Sequence, residues 1–345
     1  MKRFFVLLSP MLLASAALAQ PPGMIVNVGQ VWRQPYLNLE LSPGQITTLY
    51  VHGVGGNLKE HTVFSRPFPY KVEGISVTVA DSKGREHPAP ILAVEGLSAC
   101  YLSRSGLYAD VPCGVVAGIT VQIPYELNFG GSDIVLPFIR VYLQGQAVAA
   151  LPYSLLPRTF YIVTGHDGVS ILYPELDLAS TLPIVRRPDG TLVHRGNPAK
   201  PGETLTMLAV GLGYDITKPD EDRPKTGEPA PEGVNIPIGG QFGAPIGVEF
   251  QFGKNREVNM PAGKQLSTDG LLRAYLLPGL IGMYEITVQV PKVIPPGTPN
   301  CGAHNQPPEA PVAVDYNLRV VIGYLSARPW YFPAHDSAAI CVAVP

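Results

Sequence analysis

Ile119-Thr120-Val121-Gln122-Ile123-Pro124 recurs later in the chain as Ile286-Thr287-Val288-Gln289-Val290-Pro291. In both copies apolar residues alternate with Thr and Gln, the period-2 pattern of a strand with one buried face. The proline that closes each copy has no backbone donor and ends the pairing. Two further blocks recur in the same order. Pro43-Gly44-Gln45-Ile46-Thr47-Thr48-Leu49-Tyr50-Val51-His52-Gly53-Val54-Gly55 returns as Pro201-Gly202-Glu203-Thr204-Leu205-Thr206-Met207-Leu208-Ala209-Val210-Gly211-Leu212-Gly213, and Ile139-Arg140-Val141 as Leu318-Arg319-Val320. The copies stand 158 residues apart at Pro43 and Pro201, 167 at Ile119 and Ile286, and 179 at Ile139 and Leu318. The drift places insertions in the connecting loops, where they are tolerated. The chain reads as one β-unit written twice.

Composition agrees. The 345 residues hold 36 Gly and 37 Pro, about a fifth of the chain. Proline removes a helix donor and clashes with the preceding turn, so this content opposes long helices. Hydrophobic residues make up 46% and charged ones 15%, enough apolar surface to rule out a disordered chain. Ile75-Ser76-Val77-Thr78-Val79 and Ile139-Arg140-Val141-Tyr142-Leu143 alternate as the first block does, and Asp167-Gly168, Asp189-Gly190 and Asp269-Gly270 are hairpin-turn dipeptides. About seven short strands in each half predict an all-β protein of two tandem immunoglobulin-like β-sandwich domains. The first covers residues 20–157 and the second 158–345, opening with a strand at Phe160 to Val163. Each half is large enough to fold alone. Pro152 and Pro157 stiffen the connection and predict a fixed angle between them. The second half carries a charged, Pro-rich insertion, 215–232, read as a long exposed loop.

Residues 1–19 predict export. Lys2-Arg3, an apolar run from Phe4 to Leu13 and the ending Ala17-Leu18-Ala19 form a cleavable signal peptide. The run is too short and too broken by Ser9-Pro10 to span a bilayer. Gln20, not Cys, follows the cut, which disfavours a lipid anchor. The expected location is secreted: periplasmic, cell-surface or extracellular, with no membrane insertion of the mature chain. Loss of Lys2 and Arg3 takes the 25 basic residues to 23 against 27 acidic, a net charge of −4. That balance offers nucleic acid no basic field.

Cys100, Cys113, Cys301 and Cys341 allow three pairings. An oxidising compartment favours disulfides, and no Cys-x-x-Cys or neighbouring His pair speaks for a metal. Cys100 and Cys113 bracket a short Tyr/Ser/Gly-rich segment, which pairs them by locality; Cys301 and Cys341 then pair by elimination.

Asn197-Pro198-Ala199-Lys200-Pro201-Gly202-Glu203-Thr204-Leu205-Thr206 through Gly211-Leu212-Gly213 resembles the hallmark of an uncharacterised family of secreted β-sandwich domains from acidobacterial-type soil bacteria. Pro188-Asp189-Gly190-Thr191-Leu192 and the stretch Leu277-Pro278-Gly279 to Val290-Pro291, then Pro296-Gly297, carry the same likeness. It covers most of 158–325 and the first half more faintly. The resemblance implies an immunoglobulin-like fold and export, and no activity or ligand. The insertions at 215–232 and 239–265 and the Cys-bearing C-terminal extension depart from the family's pattern.

The search for chemistry finds no Gly-x-Ser-x-Gly elbow and no phosphate-cradling glycine loop followed by a helix. His166-Asp167-Gly168-Val169-Ser170 has catalytic residue types, but neighbours on a turn cannot face one another as a triad. His52, His61 and His87 share no ligand spacing. Asp215, Asp220, Glu221 and Asp222 offer oxygens to calcium, offset by Lys218, Arg223 and Lys225; a solvated loop is the plainer reading. Tyr101, Tyr108, Trp330, Tyr331 and Phe332 are candidate binding aromatics, of the kind sandwich loops present to sugars or proteins. Covering a sandwich edge is the alternative role for the last three. No cofactor is expected. The functional expectation is a non-catalytic structural or adhesive module that binds a protein or polysaccharide through its loops. The alternative is a carbohydrate-active enzyme or other hydrolase, which needs a carboxylate pair in one groove.

Overall fold

A computed structural model describes residues 24–28, 40–58, 61–98, 115–128, 137–163, 183–194, 196–215, 218, 222–238, 246–253, 266–301, 316–324 and 335–345. Among these residues the protein is all-β, with no α-helix. The N-terminal half holds β1 (Met24–Val28), β2 (Glu40–Leu41), β3 (Ile46–His52), β4 (Thr62–Val63), β5 (Ile75–Ala80), β6 (Glu86–Ala89), β7 (Ile91–Ser98), β8 (Val115–Gln122), β9 (Phe138–Leu143), β10 (Gln146–Pro152) and β11 (Ser154–Leu155). The C-terminal half holds β12 (Tyr161–Ile162), β13 (Val185–Arg186), β14 (Thr204–Val210), β15 (Ile246–Phe252), β16 (Leu271–Leu276), β17 (Met283–Gln289), β18 (Leu318–Tyr324) and β19 (His335–Ile340).

The halves share one strand plan. The first has sheets ordered β1-β3-β8-β7-β4 and β10-β9-β5-β6; the second has β12-β14-β17-β16, with β13 also on β14, and β15-β18-β19. The repeat holds at the level of single residues. Shifts of 158 and 167 carry Ile46 to Thr204 and Gln122 to Gln289. Ile46 pairs with Gln122, and Thr204 with Gln289. A register shift between Ile91 and Ala93, opposite Val121 and Thr120, recurs between Leu271 and Arg273, opposite Val288 and Thr287. The repeated glycines Gly44/Gly202, Gly53/Gly211 and Gly55/Gly213 all have positive φ.

In each half the inward residues of two sheets make one core, because alternation along every strand delivers its apolar side chains to the same face. Leu49, Val51, Ile119 and Val121 meet Val77, Val79, Ile139 and Val141 in the first. Leu205, Met207, Ile286 and Val288 meet Val248, Val320, Ile322 and Ile340 in the second. A third buried cluster belongs to neither half alone. It joins Ile46 and Leu92 of the N-terminal half to Val163, Ile184, Leu208, Val210, Ile281 and Met283 of the C-terminal half. Tyr125, from the N-terminal half, is packed in the C-terminal core. The expectation of two self-contained cores therefore needs a third, shared one added to it.

Within the 215–232 insertion Asp222, Lys225, Glu228, Pro229, Pro231 and Glu232 are exposed, as a loop should be, but Pro224 and Ala230 are buried and Thr226 and Gly227 bond to the N-terminal half. Its proline and charge content suggested solvent exposure; its hydrogen bonds with residues about a hundred positions away make it a clasp.

Candidate functional site

The described residues concentrate their buried polar chemistry where the halves meet. Leaving β11, which lies parallel to β2, the chain enters the junction at Pro157-Arg158-Thr159. The Thr159 N–H donates to the Gly211 carbonyl (2.7 Å), and the Thr159 hydroxyl to Gln45 Oε1 (2.9 Å). The Ser42 hydroxyl donates to the same Gly211 carbonyl (2.7 Å). The Gln45 side chain also receives the Ser42 N–H (2.9 Å). These groups are buried and matched to one another, so each desolvation cost is offset by a bond.

Beside them Arg158 is fully buried and donates to the Leu212 carbonyl. The Tyr284 hydroxyl donates to the Gly213 carbonyl (2.6 Å), which leaves Tyr125, 3.2 Å away, to donate to the Tyr284 oxygen. Burial pushes the Tyr284 phenol far above its usual value, although the Tyr125 bond and the Arg158 charge pull it down. The hydroxyl thus remains a donor. Tyr214 meets the Tyr125 ring edge-on at 6.1 Å, and the Arg223 guanidinium lies 4.9 Å above Tyr214.

The clasp closes the outer side. The Tyr125 N–H donates to Thr226 Oγ1 (2.8 Å), the Thr226 N–H to Glu126 Oε1 (3.1 Å), and the Gly227 N–H to Gln122 Oε1 (2.7 Å). The Thr226 hydroxyl donates to the other Glu126 oxygen. Arg66 reaches from the N-terminal half to the Gly279 carbonyl (3.0 Å). Fully burying an aliphatic side chain is worth about 1.5–3 kcal/mol, against about 1 kcal/mol net for a hydrogen bond. The shared apolar cluster therefore supplies most of the cohesion, and the polar groups fix the angle.

Other polar clusters are local. Asp81, buried at the β5–β6 turn, accepts the Lys83 and Arg85 N–H groups (2.9 and 3.0 Å) and the Arg85 guanidinium (3.0 Å), with His87 at 3.3 Å. Burial opposes its charge, but the bonds from Arg85, His87 and Lys83 prevail and take its pKa down to about 2. Glu86 is held below its usual range in the same way, with burial outweighed by Thr78, Tyr142 and Arg140. His61 lies 3.5 Å from Glu95.

Of the residues singled out by sequence, Cys301 and Cys341 form the expected disulfide, their Cα atoms 5.8 Å apart. Buried Asn317 braces the strand that ends at it, accepting the Val342 N–H and donating to the Val342 carbonyl, both at 2.8 Å. Cys100, Cys113, Tyr101, Tyr108, Trp330, Tyr331 and Phe332 lie outside the described residues, as do His166, Asp220 and Glu221. Asp215 is half-buried at the foot of the clasp and Asp222 is exposed. Among the described residues no three His, Cys, Asp or Glu side chains are placed to hold a metal. The junction residues were missed by sequence reasoning, because Ser42, Gln45 and Thr159 belong to no chemical motif. No protein-family model and no curated protein matches this sequence.

Proposed function

We propose that this is an exported, non-catalytic structural or adhesive protein whose two immunoglobulin-like modules act as one stiff unit. The observation that carries the reading is the junction: a shared apolar cluster, a buried polar network and a clasp from 215–232 all join the halves. Such an investment suits a protein that holds its two modules at a fixed distance and orientation. The repeated strand order supports the tandem-module reading. The Cys301–Cys341 disulfide supports an oxidising compartment, which accords with residues 1–19 serving as a signal peptide. Asp81 and Glu86 are committed to structural partners and kept ionised, whereas a glycosidase acid needs a raised pKa.

Binding is assigned to the aromatics Tyr101, Tyr108 and Trp330-Tyr331-Phe332, with an extracellular protein or polysaccharide as the ligand. The test is an array of envelope polysaccharides and matrix proteins probed with the chain from Gln20 onward. Saturable binding, lost when Trp330 and Tyr331 are replaced by Ala, is expected. Turnover of a chromogenic glycoside or ester that is abolished by replacing a carboxylate would overturn the reading.

A further inference from the structure

The internal repeat separates what the fold requires at a position from what it does not. On the outer face of the sheet built on β14 and β17, Arg186, Thr206, Thr287 and Arg273 are direct cross-strand partners on neighbouring strands. Leu192 extends the row through its bridge to Arg186. Alternation fixes where these side chains point. Their chain neighbours Val185, Val193, Met207, Ile286 and Ala274 lie in the core, so the row faces away from it. Arg273 and Leu192 are exposed, and Arg186, Thr206 and Thr287 are half-buried. Strands lie about 4.8 Å apart, which sets the two arginine stems about 14 Å apart with the two threonines between them.

The arginines are held but not neutralised. The Arg273 guanidinium lies 3.9 Å over the Tyr275 ring, and the Tyr275 hydroxyl donates to Glu285 Oε1 at 2.7 Å. The carboxylate on this face is therefore engaged by a tyrosine. Arg85, Arg140 and Arg187 each have a carboxylate partner; among the described residues Arg186 and Arg273 form no ion pair. The Thr206 hydroxyl reaches the Arg186 carbonyl at 3.4 Å.

The N-terminal half carries the same row with different content. Thr48 and Thr120, the counterparts of Thr206 and Thr287, are again direct partners, but their hydroxyls bond to each other at 2.9 Å. Ala93, 3% exposed, stands where Arg273 does. The strand plan is thus satisfied with alanine, and the fold does not call for the arginine.

We propose that this face binds an extended anionic polysaccharide. Arg186 and Arg273 take its acidic groups, since a guanidinium pairs with a carboxylate through two parallel hydrogen bonds, and Thr206 and Thr287 meet the hydroxyls of the sugars between. Charge complementarity carries the assignment: two guanidinium groups without ion pairs share one row, in a mature chain whose acidic residues outnumber its basic ones. A row laid flat across a sheet matches an extended chain. Single-stranded nucleic acid needs open aromatic faces for its bases, and here Arg273 lies over the Tyr275 ring. This surface is separate from the loop aromatics, so it can bind where they fail, and replacing Trp330 and Tyr331 by Ala tells the two apart.

The test is calorimetric titration of the full mature chain, disulfides intact, with polygalacturonate. Binding is expected at low salt, weakening as salt screens the charges, and is expected to be absent with the fully methyl-esterified polymer. Arg186→Ala and Arg273→Ala should each weaken it about threefold to tenfold, and the two together should abolish it. Lys71→Ala with Lys83→Ala removes the same charge from exposed positions in the other half and should leave binding unchanged. Matching thermal melts verify that the variants fold. A wild type that does not bind polygalacturonate overturns the proposal, as does binding that survives loss of both arginines or falls equally in the lysine control. Tighter binding to single-stranded DNA or to anionic phospholipid vesicles, with the same dependence on the arginines, also overturns it.

Discussion

The Tyr125 and Tyr284 hydroxyls, one from each half of the chain, meet 3.2 Å apart in the buried junction, and the Tyr284 O–H donates a hydrogen bond to the Gly213 carbonyl at 2.6 Å. Tyr284→Phe leaves that carbonyl and the Tyr125 hydroxyl buried without their partner. The expected cost is about 1–3 kcal/mol, measured by urea unfolding.

Gly213 leaves no room for a side chain where the entering chain passes the second half. Its φ is +64°, and a Cβ there would run into the Pro157 carbonyl. Gly213→Ala combines left-handed strain with displacement of the connection, and should cost at least about 2 kcal/mol. Gly233→Ala is the control. It also has positive φ, but nothing lies within contact of the added Cβ. The difference between the two melting temperatures isolates the collision.

Replacing Thr226 by Val keeps the shape of the clasp and removes the acceptor for Tyr125 N–H and the donor to Glu126. Exposure discounts the Glu126 bond, so about 1 kcal/mol is expected. The sharper readout is proteolysis: cleavage within 222–232 should quicken well before global unfolding does.

Acid should destabilise the first half. The folded pKa of Asp81 is lowered to about 2. Its contribution is therefore present above the carboxylate's unfolded value and is lost as pH falls through about 4 towards 2. Tyr284 works at the other end: its raised folded pKa means stability is held below about 10, the unfolded phenol's value, and declines as pH rises past it. Asp81→Asn should flatten the acid limb at a cost of about 2 kcal/mol, seen in a pH series of denaturant midpoints.

Reducing Cys301–Cys341 opens a sequence separation of 40 residues. Loop-closure entropy puts the loss at about 4 kcal/mol. Cys341→Ala with Cys301→Ala should reproduce the fall in melting temperature and remove its dependence on reductant.

The strands were legible because alternation is a local signal. Ile119, Val121 and Ile123 point inward for reasons contained in six residues, and the structure adds that the repeated blocks pair in matching register, Ile46 with Gln122 and Thr204 with Gln289. The junction was not legible. Ser42, Gln45 and Thr159 are ordinary polar residues until the fold brings them together across more than a hundred positions. The clasp's anchoring was hidden for a related reason: its Pro, Asp and Lys content describes an exposed loop, and nothing within 215–232 reveals that Gln122, Tyr125 and Glu126 receive it.

Whether the shared cluster welds the two halves into one unit is tested most directly by differential scanning calorimetry of the full oxidised chain. Coupled halves predict one transition whose calorimetric and van't Hoff enthalpies agree, with the whole transition moving down in Tyr284→Phe. Two separate transitions, with only one of them or neither shifted by that substitution, would contradict the account.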